Sequence, residues 1–249
     1  MSYLILAVRF LTIVPVPGVE AEGPGALGRA AWWFPVIGLG LGAGLVIADR
    51  MFLTVFPPLL GAVLLVAVWK ILSGGLHLDG LADAVDGLAG RDAERRLAIM
   101  RDSHLGVFGA VALGLCLLVF VGALDAVPAP RRPAVLLLAP AVGRLAPLLI
   151  GPLFPAATPG EGAGADFLAG LSRWATPAYV AALWILSATM LGSWGGLVLS
   201  LALASVLLWA VFLVSRVGGL TGDALGGAVE IGEMATLTAA AALIHVHLI

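Results

Sequence analysis

The chain has 249 residues, 61% of them hydrophobic and only 11% charged, and its mean hydropathy is +1.10. Fifteen acids and 13 bases cannot clothe a soluble protein of this size, so a soluble domain is excluded and an all-α, polytopic membrane bundle is expected as a single catalytic domain over 1–249. A net charge of −2 with sparse aromatics excludes nucleic-acid binding, and one cysteine, Cys116, supplies neither a disulfide framework nor a thiolate metal site.

The first seventeen residues are apolar around Arg9 but lack a basic leader and a small-residue cleavage site. They predict an interfacial or re-entrant element, not a cleaved signal. A bilayer core requires about 20 apolar helical residues. About seven stretches meet or approach that length: 34–56, 58–76, 105–127, 133–154, 177–191, 195–217 and 234–249. Arg91, Arg95, Arg96 and Arg101 lie between the second and third, which places that loop in the cytoplasm. Parity then brings residues 218–233 to the same face, and leaves Arg131 and Arg132 on the opposite one. Asp49, Arg50, Lys70 and Arg144 fall within or at the ends of spans, where charge is expensive. Arg144, in mid-span, is expected to face a polar interior.

The acids cluster. Asp79, Asp83, Asp86, Asp92, Glu94 and Asp102 lie between His77 and His104, and Asp223, Glu230 and Glu233 follow Thr221, so nine of fifteen occupy two short stretches. Asp79, Asp83 and Asp86 are spaced i, i+4, i+7, which sets them on one helix face. Like charges so close destabilise a helix unless a cation covers them, and carboxylates suit a hard ion such as Mg²⁺. A solvated acidic helix start is the simpler alternative. Asp223 and Glu230 repeat the pattern at i, i+7, with Glu233 one turn on. The candidate metal ligands are therefore Asp79, Asp83, Asp86, Asp223 and Glu230, with Glu230 and Glu233 simply opening the last helix as the alternative for the second cluster.

Gly80 and its neighbouring glycines allow either a phosphate or a second helix to approach. His77 points away from the acidic face and is read as a substrate or supporting group, with a plain structural role as the equal alternative. Arg101, Asp102, Ser103 and His104 form a dense polar group just before the third span. Arginine matches phosphate geometry, so Arg101 is a candidate diphosphate contact, with a topology anchor as the alternative.

The motifs FLTIVPVP at 10–17, GGLHLDGLADAVDGL at 74–88, IMRDSHLGVFG at 99–109 and GLTGDALGGAVEI at 219–231 resemble those of the cobalamin synthases, the adenosylcobinamide-GDP ribazoletransferases. That resemblance covers most of the chain. It implies a reaction in which a hydroxyl of α-ribazole, or of its 5′-phosphate, attacks the phosphate attached to adenosylcobinamide and displaces GMP. It also implies a Mg²⁺-dependent enzyme of the bacterial inner membrane, with Asp79, Asp83, Asp86 and Asp102 as catalytic residues. His77, Gly80, Arg101, Ser103 and His104 would meet substrate, at a site facing the cytoplasm. The implied partners are the two substrates, the lipid bilayer, and either a second copy of the chain or other enzymes of the corrinoid pathway. The family carries Arg where this chain has Ile13, and Lys and Arg where it has Arg101 and His104. The acidic pattern loosely resembles the CDP-alcohol phosphotransferases without their Ala-Arg step, and a divalent-cation transporter is the rival from another class.

Overall fold

The structure is a computed structural model that describes residues 1–160 and 162–246. Among these, twelve α-helices follow in order: α1 Ser2–Leu11, α2 Ala26–Ala30, α3 Phe34–Val55, α4 Pro58–Leu72, α5 Leu76–Gly87, α6 Ala93–Met100, α7 Val107–Ala126, α8 Arg132–Ile150, α9 Gly162–Gly170, α10 Ala175–Leu191, α11 Gly195–Val217 and α12 Gly222–His245. The one β-type pairing among the described residues is an isolated bridge between Ala156 and Leu220.

Glycine sets how closely these helices approach. In α3, Gly38 and Gly42 lie against the backbone of Leu136 to Ala141 in α8, where a Cβ at either position would collide with main chain. This is the small-xxx-small solution to helix packing without a hydrophobic driving force. Gly143 of α8 and Gly232 of α12 repeat it, since a Cβ on Gly232 would lie 3.3 Å from the Gly143 Cα. α8 is consequently buried along almost its whole length, and α3, α10, α11 and α12 surround it.

Five helical stretches are long and apolar enough to span a membrane: Ala26–Val55, Val107–Ala126, Arg132–Leu153, Gly195–Val217 and Gly222–His245. A sixth is possible only as the bent pair α4 and α5, which meet at 90°. Among the described residues the structure thus supports five or six of the roughly seven expected spans. α4 stops at Ser73 because Gly74 and Gly75 take φ of 65° and 70°, left-handed values that glycine adopts without a Cβ clash. The apolar helix at Thr176–Leu191 falls short of a full crossing. The last span begins at Gly222, not at 234, so the helix face of Asp223, Glu230 and Glu233 belongs to the span itself. Its expected end at 247–249 lies outside the described residues.

The N-terminal segment forms α1 and a strap that returns over the α4–α5 break. The Ile13 amide donates to the Leu72 carbonyl at 2.9 Å, and the Arg9 guanidinium donates to the Val16 and Gly18 carbonyls. At one end of the bundle lie the strap, α5, α6, α9, the C-terminus of α11 and the N-terminus of α12. Arg96 joins two of these by donating to the Arg216 carbonyl at 2.9 Å. At the other end, Arg132 is only 2% exposed and pairs with Asp49 at 2.9 Å.

Candidate active site

Each acidic cluster begins at a helix start. Asp79 lies in the first turn of α5. Asp223 lies in the first turn of α12, after a Thr221 cap whose hydroxyl accepts from the Ala224 amide at 3.0 Å. The exposed N–H groups of a first turn favour a carboxylate there. α5 and α12 then cross at two glycines. A Cβ on Gly80 would sit 3.1 Å from the Asp223 carbonyl oxygen, and one on Gly226 would sit 3.5 Å from the Gly80 Cα. Gly80, expected to meet substrate, thus serves the helix crossing that brings Asp79 and Asp223 together.

Asp79 is exposed, while Asp83 and Asp223 are half-buried. Asp83 feels the charges of Asp79, Asp223 and Asp86, and Asp223 that of Asp79. Among the described residues no hydrogen bond or ion pair from a cationic side chain neutralises these three carboxylates, in contrast to the buried Glu230 and Glu233.

Asp86 has a different environment. It is buried, and its two carboxylate oxygens accept from the Gly106 and Gly109 amides, each at 2.8 Å. These are first-turn N–H groups of α7 that have no partner within the helix, so Asp86 caps α7 from another element. A Cβ at Gly106 or Gly109 would run into that carboxylate. The glycine spacing of the third motif is explained by this clasp. With both oxygens engaged, Asp86 leaves the ligand set expected from spacing.

Glu230 also leaves it. It is 1% exposed, and its Oε2 accepts from Lys70 Nζ at 2.5 Å. Lys70 also reaches Glu233 Oε2 at 2.8 Å, and Arg144 pairs with the other Glu233 oxygen. Arg144 Nη2 donates to Ser73 Oγ at 2.9 Å, and the Lys70 ammonium lies 3.8 Å from the centre of the Phe120 ring. Cys116 packs against Glu230, its sulfur 3.9 Å from Oε2. Two cations and two anions balance in this buried network, as charge inside a membrane requires. The side-chain composition at mid-span could have signalled it: Lys70 and Arg144 need partners, and Glu230 and Glu233 are of matching number. What sequence could not supply was that α4, α8 and α12 meet.

Two hollows adjoin the open carboxylates. An apolar cavity of about 210 Å³ is lined by Phe10, Phe34 and Phe167, with His77, Asp79, Arg144 and Asp223 also in its wall. His77 and Arg144 are buried, and His77 Nδ1 and Arg144 Nε have no hydrogen-bond partner. A polar cleft of about 420 Å³ runs beside it, lined by Arg101, Thr158, Thr221 and Asp223. Asp223 belongs to both.

Asp102, Ser103 and His104 are exposed and line neither hollow. The Asp102 carboxylate lies 2.6 Å from His104 Nδ1. Hydrogen bonds from His104 hold the Asp102 carboxyl below its usual range, and the same bond with its charge raises His104. The structure therefore brings His77, Asp79, Gly80, Arg101 and Asp223 into the walls of one pair of hollows, sets Asp83 one turn along α5 from Asp79 without lining either, and leaves Asp102, Ser103 and His104 on an adjoining loop.

Among the described residues no three His, Cys, Asp or Glu side chains converge as a ready-made metal cage. The donors present are still the type a hard cation takes. Mg²⁺ is ordinarily held by one or two carboxylates, with waters and substrate phosphate filling the remaining positions. One or two carboxylates drawn from Asp79, Asp83 and Asp223 fit it in that form.

A family model described as cobalamin-5-phosphate synthase matches residues 3–241. Curated proteins named adenosylcobinamide-GDP ribazoletransferase are similar over nearly the whole chain. That of Stutzerimonas stutzeri is 39% identical, covering 95% of this chain and 96% of its own. That of Desulfitobacterium hafniense is 36% identical over 98% of both, and that of Chlorobium phaeobacteroides 38% over 94% and 95%. No solved structure matches. With its motifs set around one open acidic face and the family match running almost end to end, the chain belongs to the cobalamin-5-phosphate synthase family.

Proposed function

We propose that this chain transfers the adenosylcobinamide phosphate moiety from adenosylcobinamide-GDP to a hydroxyl of α-ribazole or its 5′-phosphate, releasing GMP. The observation that carries this reading is the unneutralised face of Asp79, Asp83 and Asp223, whose Asp79 lines the apolar cavity and whose Asp223 stands where that cavity meets a polar cleft with an arginine. Three carboxylates without a protein cation ask for a positive partner, and a diphosphate beside them would repel unless one were bound. One or two of Asp79, Asp83 and Asp223 would hold Mg²⁺, which when bound would neutralise phosphate charge and so supply electrostatic stabilisation of the displacement.

The chain's own groups do the rest. Arg101, in the cleft wall, is suited to a phosphate oxygen. The acceptor hydroxyl oxygen bonds to the phosphorus attached to adenosylcobinamide, while the bond from that phosphorus to the GMP-bridging oxygen breaks and its electron pair leaves with GMP. The hydroxyl proton passes to a carboxylate of the open face. The corrinoid is far too large for either hollow and remains outside them.

The site end of the bundle carries Arg9, Arg29, Arg91, Arg95, Arg96, Arg101, Arg173 and Arg216, and the positive-inside rule makes that end cytoplasmic in a bacterial inner membrane. Arg132 weighs little against this orientation, because it is buried and paired with Asp49.

Incubating detergent-purified protein with adenosylcobinamide-GDP and α-ribazole tests the proposal. GMP release that requires Mg²⁺ and is abolished by EDTA is expected. No GMP under any condition, with Mg²⁺ flux in proteoliposomes lacking nucleotide, would support the transporter instead.

A further inference from the structure

The two hollows differ in chemistry, and a two-substrate transfer needs such a difference. We infer that the apolar cavity binds the aromatic base of the acceptor nucleoside, separately from the polar cleft that receives the diphosphate of the donor. This rests on the transfer reaction proposed above.

The walls point to a flat aromatic group. Phe34 lies between Phe10 and Phe167, with ring centres 5.9 Å away on each side and ring planes inclined by 18° and 27°. Phe34 and Phe167 are buried, and the stack is built by α1, α3 and α9, three elements far apart in sequence. Aromatic surfaces of this kind accept heterocyclic bases by offset or edge contacts. An alkyl chain would fit the apolar wall too, but it offers nothing to the polar atoms nearby. His77 Nδ1 and Arg144 Nε are both buried without hydrogen-bond partners, on residues that line this cavity. Buried donors left unpaired are unfavourable, and a ring nitrogen with a free lone pair is an acceptor that would satisfy one of them. His77 would do so in the tautomer that carries its proton on Nδ1.

Size and position agree. The cavity's 210 Å³ falls below the roughly 300–1,000 Å³ of pockets that enclose a whole drug-sized ligand. It suits part of a substrate, such as fused rings, with the remainder projecting. The projecting part would be the ribose, and Asp79 and Asp223 stand in the cavity wall where the cleft begins. A base seated in the cavity therefore presents a ribose hydroxyl to the open carboxylates and to the phosphate in the cleft. Orientation of this sort is where positioning contributes to rate.

The experiment uses the full chain in detergent and two cavity variants. Leu27→Trp fills the cavity, and Phe10→Ala removes a half-buried wall; each is checked for unchanged elution and thermal stability, and Phe10→Ala serves if the larger side chain prevents folding. Equilibrium dialysis of α-ribazole, with GDP as the probe of the cleft, measures binding without turnover. Both variants should weaken α-ribazole at least tenfold and leave GDP within twofold. In turnover, KM for α-ribazole should rise by a similar factor, with KM for adenosylcobinamide-GDP unchanged. Equal weakening of both ligands, or unchanged α-ribazole binding, overturns the assignment. So does a copurified lipid that Leu27→Trp excludes and α-ribazole does not displace. If the wild-type chain binds α-ribazole in this way yet releases no GMP, the transfer reading fails while the pocket stands.

Discussion

Two groups of charges lie close together in this bundle and behave oppositely. Lys70, Arg144, Glu230 and Glu233 are buried and matched two against two, with Lys70 on one oxygen of each glutamate and Arg144 on the other oxygen of Glu233. Asp223 stands about two helical turns before Glu230 on α12, and Asp79 and Asp83 lie on the crossing α5, all three partly exposed and unmatched. The first group holds three helices together, and its charges answer one another. The second leaves a net negative face whose counter-charge has to arrive from solution. In a membrane protein, then, the number of acids in a stretch says less about chemistry than whether each already has a partner.

The largest expected effect tests the open group. Asp79→Asn, Asp83→Asn and Asp223→Asn should each lower GMP release by about 10²–10⁴-fold, the scale of losing a positioned acid–base or electrostatic group. Their thermal stability in detergent should be unchanged or slightly raised, since each relieves repulsion. Full activity in Asp83→Asn with unaltered Mg²⁺ dependence would break the comparison.

The matched group should respond in the reverse sense. Lys70→Met strands Glu230 and part of Glu233 in the bundle interior, and a loss of about 3–5 kcal/mol in stability is expected from an uncompensated buried charge. The double variant Lys70→Met with Glu230→Met restores neutrality and should recover most of it. A thermal melt that shows Lys70→Met as stable as wild type would mean that the quartet is not what joins α4 to α12.

Asp86 sharpens the boundary between the groups. It belongs to the acidic motif by sequence and to the structural set by its bonds. Asp86→Ala should cost about 1–3 kcal/mol by leaving two α7 amides unpaired, and any loss of activity should track the loss of folded protein. If activity falls in a fully stable variant, Asp86 returns to the reacting groups.

The smallest effect is at the exposed loop. The folded pKa of His104 is raised above its ordinary 6.5, so the stabilisation from its pairing with Asp102 is complete below that value and fades as pH rises through the folded one. The folded pKa of Asp102 is lowered from 3.8, so its share is present above 3.8 and is lost as pH falls through the depressed value. Histidine titration by NMR should show His104 moving down toward 6.5 in Asp102→Asn. No shift would show that the pair does not persist in solution.

Much of the site was legible in sequence because its cause is local. Periodicity placed Asp79 and Asp83 on one face of α5 and marked Asp223 as part of a second acidic face, since these readings depend only on neighbours a few residues away. Glu230 looked equally acidic and equally well spaced. Its reassignment depends on Lys70, 160 residues earlier, which no spacing rule connects to it. The same holds for Asp86, whose partners are 20 and 23 residues on, and for Phe10, Phe34 and Phe167, which sequence offered only as scattered apolar residues.

The sequence by itself determined that the chain is helical and membrane-embedded, that its acids gather in two stretches, and which family its motifs resemble. Hydropathy, helical period and motif order carry that information along the chain. Tertiary structure alone decided how many helices are long enough to cross, which carboxylates are already paired, and that a polar cleft and an aromatic-walled cavity meet at Asp223. Those outcomes follow from the glycine crossings of α3 with α8 and of α5 with α12, where backbones approach closely enough to set distant side chains against one another.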